Sequence, residues 1–273
     1  MRERETHRRS RPLRDDESVG ILEDLSTAIE QHQIVAWFQP QIDVPSRRVV
    51  AAEALARWQH PELGLVNPAD FIPDAQRHGL IDDLGILMVD AAARRAVEWS
   101  RAGYPIQVSV NVSATQLAGS RLTDWLHFLL ERPELPAESL IIEITETNQF
   151  DDLDDVVARL RELRSLGLGV SIDDFGAGFS SFNRLEQLPA SEVKIDLSLV
   201  QDESDDGYAA LIEIVERARE AGIRVVAEGV ETPAQAHRVT MLRCRRAQGY
   251  LYGGPMPEDE FIELLRAGHP GAG

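Results

Sequence analysis

The chain has 273 residues, 43% hydrophobic and 27% charged, a normal soluble composition long enough to bury one sizeable core. Its formal charge of −18, from 46 acids against 28 bases, argues against a protein that grips a long nucleic acid through a basic face. No apolar run approaches the ~18 residues of a membrane helix, so no membrane span is expected, and the single cysteine, Cys244, forms no internal disulfide, which fits a reducing cytoplasm.

Residues 1–17 are polar, carry six Arg and lack both apolar periodicity and a secretory h-region, and they read as a disordered tail. From Ser18 the stretch SVGILEDLSTAIEQHQ sets Ile21, Leu22, Leu25 and Ile29 at helical spacing. Strand candidates follow at 34–42, 49–57, 106–112, 140–144, 168–172, 192–196, 223–227 and, weakly, 246–250. After the second of these, amphipathic helical stretches separate them at 81–102, 114–131, 152–166, 207–221 and 232–243. No low-complexity linker interrupts the pattern, so 18–267 reads as one domain, with a short tail at 268–273.

Alternating strands and helices predict an α/β fold with a parallel sheet, and eight strands suggest a (β/α)8 barrel. About six residues separate the first two strands, too few for the ~10–12 of a crossover, so these two are expected to run antiparallel. An open doubly wound sheet is the alternative, but no Gly-rich nucleotide fingerprint follows a strand.

Barrels carry their sites at the C-terminal ends of the strands. There the sequence places Glu53, Asn111, Glu143, the pair Asp173-Asp174, Lys194, Glu228 and Gln248. Any one of these acids reads most simply as solvated or as a helix cap. Five carboxylates around one mouth repel each other unless cations are bound, and one Lys cannot neutralise five. Asp, Glu and Asn oxygens suit hard cations such as Mg²⁺ or Mn²⁺, and the absence of His and Cys among them argues against zinc. Asp173 and Asp174, pointing in different directions in an extended strand, can serve two ions. Two ions ~3.5–4 Å apart are a device for phosphoryl displacement. Of the 28 basic residues, 27 are Arg; the lone Lys194 falls among these acids.

The words of the sequence carry a resemblance. Glu53-Ala54-Leu55-Ala56-Arg57-Trp58 resembles the ExLxRW signature of the EAL domain, the cyclic di-GMP phosphodiesterase family. The match continues in order through Gln39-Pro40, Asn111-Val112-Ser113, EITE (143–146), DDFGAGFSS (173–181), Lys194-Ile195-Asp196, AEGVET (227–232) and QGYLYG (248–253). The resemblance implies a modified TIM (β/α)8 barrel with an antiparallel first strand, hydrolysing cyclic di-GMP to linear pGpG with two Mg²⁺ or Mn²⁺ ions. Ca²⁺, with its longer and looser coordination, is expected to inhibit by supporting binding but not hydrolysis. It implies that Glu53, Asn111, Glu143 and Asp173 hold one ion. Asp173 bridges to a second, with Asp174 beside it and Glu228 reaching it directly or through water. Lys194 faces the attacking water, with Glu53, Lys194 and Glu228 as the catalytic groups. Gln39, Arg57, Glu231 and Gln248 serve the substrate side, Gln248 through water, and Glu146 braces the loop after the fifth strand.

That loop carries Phe175, Phe179 and Phe182 and implies a homodimer; a separate regulatory partner is left open. The chain departs from the family pattern at Ala177, Phe182, Leu197, Leu199 and Gly254, none of them a proposed metal ligand. Two rival readings are a catalytically inactive cyclic di-GMP receptor and a lyase using Lys194 as a Schiff base. The acids around Lys194 oppose the second, because they raise an amine pKa.

Overall fold

A computed structural model of the chain describes residues 25–145, 153–177, 185 and 187–268. The tails 1–17 and 269–273, the residues 18–24, Glu146 and the loop residues 178–184 lie outside the described residues.

The strands are β1 (Ile34–Asp43), β2 (Val49–His60), β3 (Gly64–Val66), β4 (Gln107–Asn111), β5 (Leu140–Thr145), β6 (Gly169–Phe175), β7 (Glu192–Ile195), β8 (Arg224–Ala227) and β9 (Arg246–Gln248). They form one sheet in the order β1-β9-β8-β7-β6-β5-β4-β2-β3, and β1 also pairs with β2, which closes an eight-stranded barrel and leaves β3 as a flap on β2. β1 runs antiparallel to both of its neighbours, and the other ring strands are parallel. The modified barrel expected from the short first connection is the observed fold. Only residues 44–48 join β1 to β2, so the chain turns straight back and no helix intervenes.

The helices are α1 (25–30), α2 (Pro68–Arg77), α3 (Ile81–Arg101), α4 (Ala114–Ala118), α5 (Arg121–Leu130), α6 (Leu153–Ser165), α7 (Leu197–Gln201), α8 (Asp205–Glu220), α9 (Pro233–Met241) and α10 (Glu258–Ala267). The single helix expected over 114–131 is two, because Gly119 takes an extended conformation after α4 and a new helix starts at Arg121. The internal Pro73 disguises α2 in the sequence. None of the described helices is long and apolar enough to cross a membrane.

The core lies between strands and helices, where Val108, Val110, Ile142, Ile144, Val170 and Ile172 are buried. The barrel's inside is polar. Alternation turns Ser109, Glu143, Ser171, Glu192 and Lys194 inward, all buried. At the end away from the mouth, Glu192 accepts from Arg224 and Arg246, each at 3.1 Å, and closes the barrel floor with an ion-pair plug. Gly169 leaves room for a neighbour here: a Cβ on it falls 2.7 Å from Cγ1 of Ile141.

Candidate metal centre at the barrel mouth

Each parallel strand delivers its last inward residue to the mouth. The register sets Asn111 beside Glu143, Thr145 beside Asp173, and Gln39 of β1 opposite Glu53 of β2. Glu228 follows β8, and its backbone N–H donates to Ile195 O.

Lys194 stands at the centre with only 1% of its side chain exposed. Its Nζ lies 2.7 Å from Glu143 Oε2, 2.8 Å from Glu228 Oε1, 3.0 Å from Asp173 Oδ1 and 3.2 Å from Glu53 Oε2. Asn111 donates to Glu53 Oε1 at 2.8 Å, and Gln248 donates to Glu53 Oε2 at 2.6 Å. Gln248 also donates to Gln39 Oε1 and accepts from Gln41, so it is a buried brace beneath Glu53.

Asp173 and Asp174 do not diverge as they would in an extended strand. The β6–β7 register shifts between Ile172 and Phe175, and Asp174 takes φ +56. This bulge turns both carboxylates toward one space, and the Asp174 N–H caps Asp173 Oδ1 at 3.0 Å. Two triads result, Glu53/Glu143/Asp173 and Asp173/Asp174/Glu228, each with ligand atoms within 4.8 Å of one another and with Asp173 common to both. Phe175, expected at a subunit contact, is buried in the core instead.

The charges here are unbalanced. Burial lifts the Glu143 carboxyl well above its usual range, and Glu53 beside it adds to the lift. Burial likewise pushes Glu228 up to about 8 and raises Asp174, with Asp173 adding to the latter. Burial also acts to raise Glu53, but the Lys194 ammonium and the donors Gln248 and Asn111 more than offset it, leaving Glu53 below its usual value. For Lys194 burial favours the neutral amine, yet Glu143, Glu228, Glu53 and Asp173 together hold it well above the ordinary lysine value. An ammonium held among four carboxylates is a poor Schiff-base nucleophile, which argues against the lyase reading.

Glu143 Oε1 is buried with no partner among the described residues. An orphaned carboxylate oxygen is costly, on the order of 1–3 kcal/mol or more, and a hard cation would satisfy it. The all-oxygen donor set fits Mg²⁺ or Mn²⁺.

The flanks are less concentrated. Half-buried Arg57 lies on the same face of β2 as Glu53, with its guanidinium 5.6 Å from the Trp37 ring centroid and donating to Ala56 O. Gln39 donates to Gly253 O. Glu231 is exposed, belongs to neither triad, and gives its N–H to Gln235 at the start of α9. Two positions not singled out from the sequence also support the site. Gln41, one strand period from Gln39, holds Gln248. Gln116 forms a capping box with Ser113 and donates to Ile81 O at 2.7 Å, fixing the turn that follows Asn111. The NxSxxQ spacing carried the second signal.

Comparison with known proteins agrees with this geometry. The model of the EAL domain matches residues 22–255. The bifunctional diguanylate cyclase/cyclic di-GMP phosphodiesterase MucR of Pseudomonas aeruginosa is 40% identical over 250 residues, 90% of this chain and 36% of that protein. The cyclic di-GMP phosphodiesterase RocR of the same organism is 34% identical over 242 residues, 88% of this chain and 62% of its own length. The chain thus spans less than two thirds of either relative. A solved structure of the PaMucR phosphodiesterase in complex with c-di-GMP superposes with a TM-score of 0.83 at 39% identity, covering 89% of this chain and 99% of that one. With the barrel, the acid-lined mouth and the family match in agreement, the chain belongs to the EAL domain family.

Proposed function

We propose that the chain is a metal-dependent phosphodiesterase that opens cyclic di-GMP to linear pGpG. The observation that carries this reading is the pair of carboxylate triads sharing Asp173, in a chain whose relatives are named cyclic di-GMP phosphodiesterases. Glu53, Asn111, Glu143 and Asp173 would hold one Mg²⁺ or Mn²⁺, and Asp173, Asp174 and Glu228 a second. Bound there, two such ions polarise the phosphodiester and lower the pKa of a water.

The chain's own residues do the rest. Lys194 Nζ donates toward the attacking water and keeps the surrounding carboxylates together. Arg57, stacked on Trp37, meets a substrate phosphate, and Gln39 lines the nucleotide groove. Gln248 acts by holding Glu53 and Gln39 rather than by touching substrate, and Glu231 has the outermost role, at the rim. Water adds to phosphorus as the bond to the 3′ oxygen breaks. One water proton ends on that oxygen, leaving a 5′ phosphate and a 3′ hydroxyl.

On this reading Ca²⁺, with its longer and looser coordination, supports binding but not turnover. The compartment is the cytoplasm, and the working form is a homodimer, which light scattering at working concentration checks. The deciding experiment incubates purified protein with cyclic di-GMP and Mg²⁺ and separates products by chromatography. The linear dinucleotide is expected; binding without turnover would establish the inactive receptor instead.

A further inference from the structure

The end of the barrel opposite the mouth gathers arginine. In a (β/α) barrel each helix runs back from the mouth, so first turns lie near the mouth and last turns at the far end. First turns here are acidic (Asp82 and Asp83 in α3, Asp205 and Asp206 in α8), and last turns are basic (Arg101 in α3, Arg217 and Arg219 in α8). Two turns at the far end add more. The β1–β2 turn carries Arg47 and Arg48, and the α9–β9 turn carries Arg243 and Arg245. The turns touch: Val44 N–H donates to Arg245 O at 3.1 Å, and Arg245 Nε lies 3.0 Å from Asp43 Oδ1.

Arg47, Arg48 and Arg243 are exposed. Arg47 and Arg243 both sit in the left-handed region, at φ +57 and +59. At the same point after α2, α3, α6 and α8 the chain uses Gly79, Gly103, Gly167 and Gly222, which enter that region without strain, and after α1 it uses His32 at φ +57. Among the described residues, only after α9 is that positive-φ position an arginine. A Cβ at such a position is unfavourable, so backbone ease did not select these two arginines. Beside the β1–β2 turn, Arg48, Ser46 and the paired Asp43 and Arg245 line a cleft of about 430 Å³, with Ile106 and, at the end of α10, Leu264 and Leu265 among its walls.

We propose that this far end docks an acidic segment of a partner protein. Its carboxylates meet the exposed Arg47, Arg48 and Arg243, and an apolar side chain enters the cleft. A concave site with apolar walls suits a projecting peptide side chain; a flat array of lipid headgroups leaves those walls unfilled. Docking here keeps the mouth open. The inference rests on charge and backbone at the far end and stands apart from the catalytic reading.

The test uses the full chain and a fluorescein-labelled peptide of Glu residues flanking one Phe, with its Glu→Gln counterpart as control, followed by anisotropy. Saturable binding of the Glu peptide is expected, weakened by roughly tenfold or more in Arg48→Glu and in Arg243→Gly. Arg243→Gly is also expected to melt roughly 2–4 °C higher, because it relieves the left-handed residue. Turnover of cyclic di-GMP stays unchanged in both variants. Equal affinity for the two peptides, or undiminished binding in both variants, would overturn the proposal. So would an Arg243→Gly protein less stable than the parent, since that places Arg243 in the service of the fold. Displacement of the peptide by phosphatidylserine vesicles would assign the surface to a membrane instead.

Discussion

Lys194 is the residue on which the site turns. Its ammonium touches four carboxylates within 3.2 Å, and its side chain is sealed from solvent. Arginine keeps the charge but replaces a compact donor with a planar fork that this space does not hold. Lys194→Arg is therefore expected to lower kcat by on the order of a hundredfold, with a smaller effect on cyclic di-GMP binding measured in Ca²⁺. A kcat within about threefold of the parent would show that only the charge matters. The same cluster sets a pH dependence. Glu143 and Glu228 titrate above their ordinary value of 4.5, Glu228 at about 8, so the folded state holds protons that the unfolded chain has lost. Stability of the metal-free protein should thus fall as pH rises from about 5 to about 8. Glu53, shifted downward, adds stability that stays constant above 4.5, and Lys194, shifted upward, adds stability that is lost only above 10.5. Thermal melts in EDTA at pH 6 and 8.5 test the sign. Mg²⁺ should raise the melting temperature more at the higher pH, where it no longer competes with protons. A metal-free protein more stable at pH 8.5 would contradict the assignment.

Individual elements are built to hold these residues still. The bulge in β6 converts neighbouring residues, which a straight strand sends to opposite faces, into a convergent pair. The turn after β4 is fixed from behind: Gln116 caps α4, reaches Ile81 O, and fills the space over Gly85. A Cβ on Gly85 falls 2.0 Å from Gln116 Nε2. Gly85→Ala should therefore destabilise by about 1–3 kcal/mol and displace the turn that carries Asn111. Gly85→Ala combined with Gln116→Ala should recover part of that loss by removing the clash, a non-additivity that thermal unfolding measures directly. Additive losses would mean that the two side chains do not share the space.

At the scale of the whole molecule, the long helices α3 and α8 start acidic at the mouth and end basic at the far end. The mouth has acidic helix starts around an acidic centre, in a chain of net charge −18. On the proposed function, a dianionic substrate would approach that rim against repulsion, which salt screens over a Debye length of about 10 Å at 0.1 M. With metal saturating, kcat/KM for cyclic di-GMP is expected to rise as NaCl goes from about 20 to about 200 mM. A steady fall would show that the field of the bound ions governs approach instead.

The sequence by itself determined the barrel and the identity of the acids at its mouth. Strand alternation, a first connection of about six residues and a polar residue at the ends of strands two to eight are local facts, set by pleat geometry and chain reach. Tertiary structure decided how those residues meet. Glu53 and Lys194 are 141 residues apart and touch only because the barrel closes. The convergence of Asp173 with Asp174 depends on a register shift against β7, and the burial of Gln248 beneath Glu53 on the pairing of β9 with the antiparallel β1. Phe175 has the look of a contact residue in its loop, yet the closed sheet takes it into the core. Spacing along a chain fixes which face a side chain leaves from; burial, register and charge coupling arise between segments and exist only once those segments are packed.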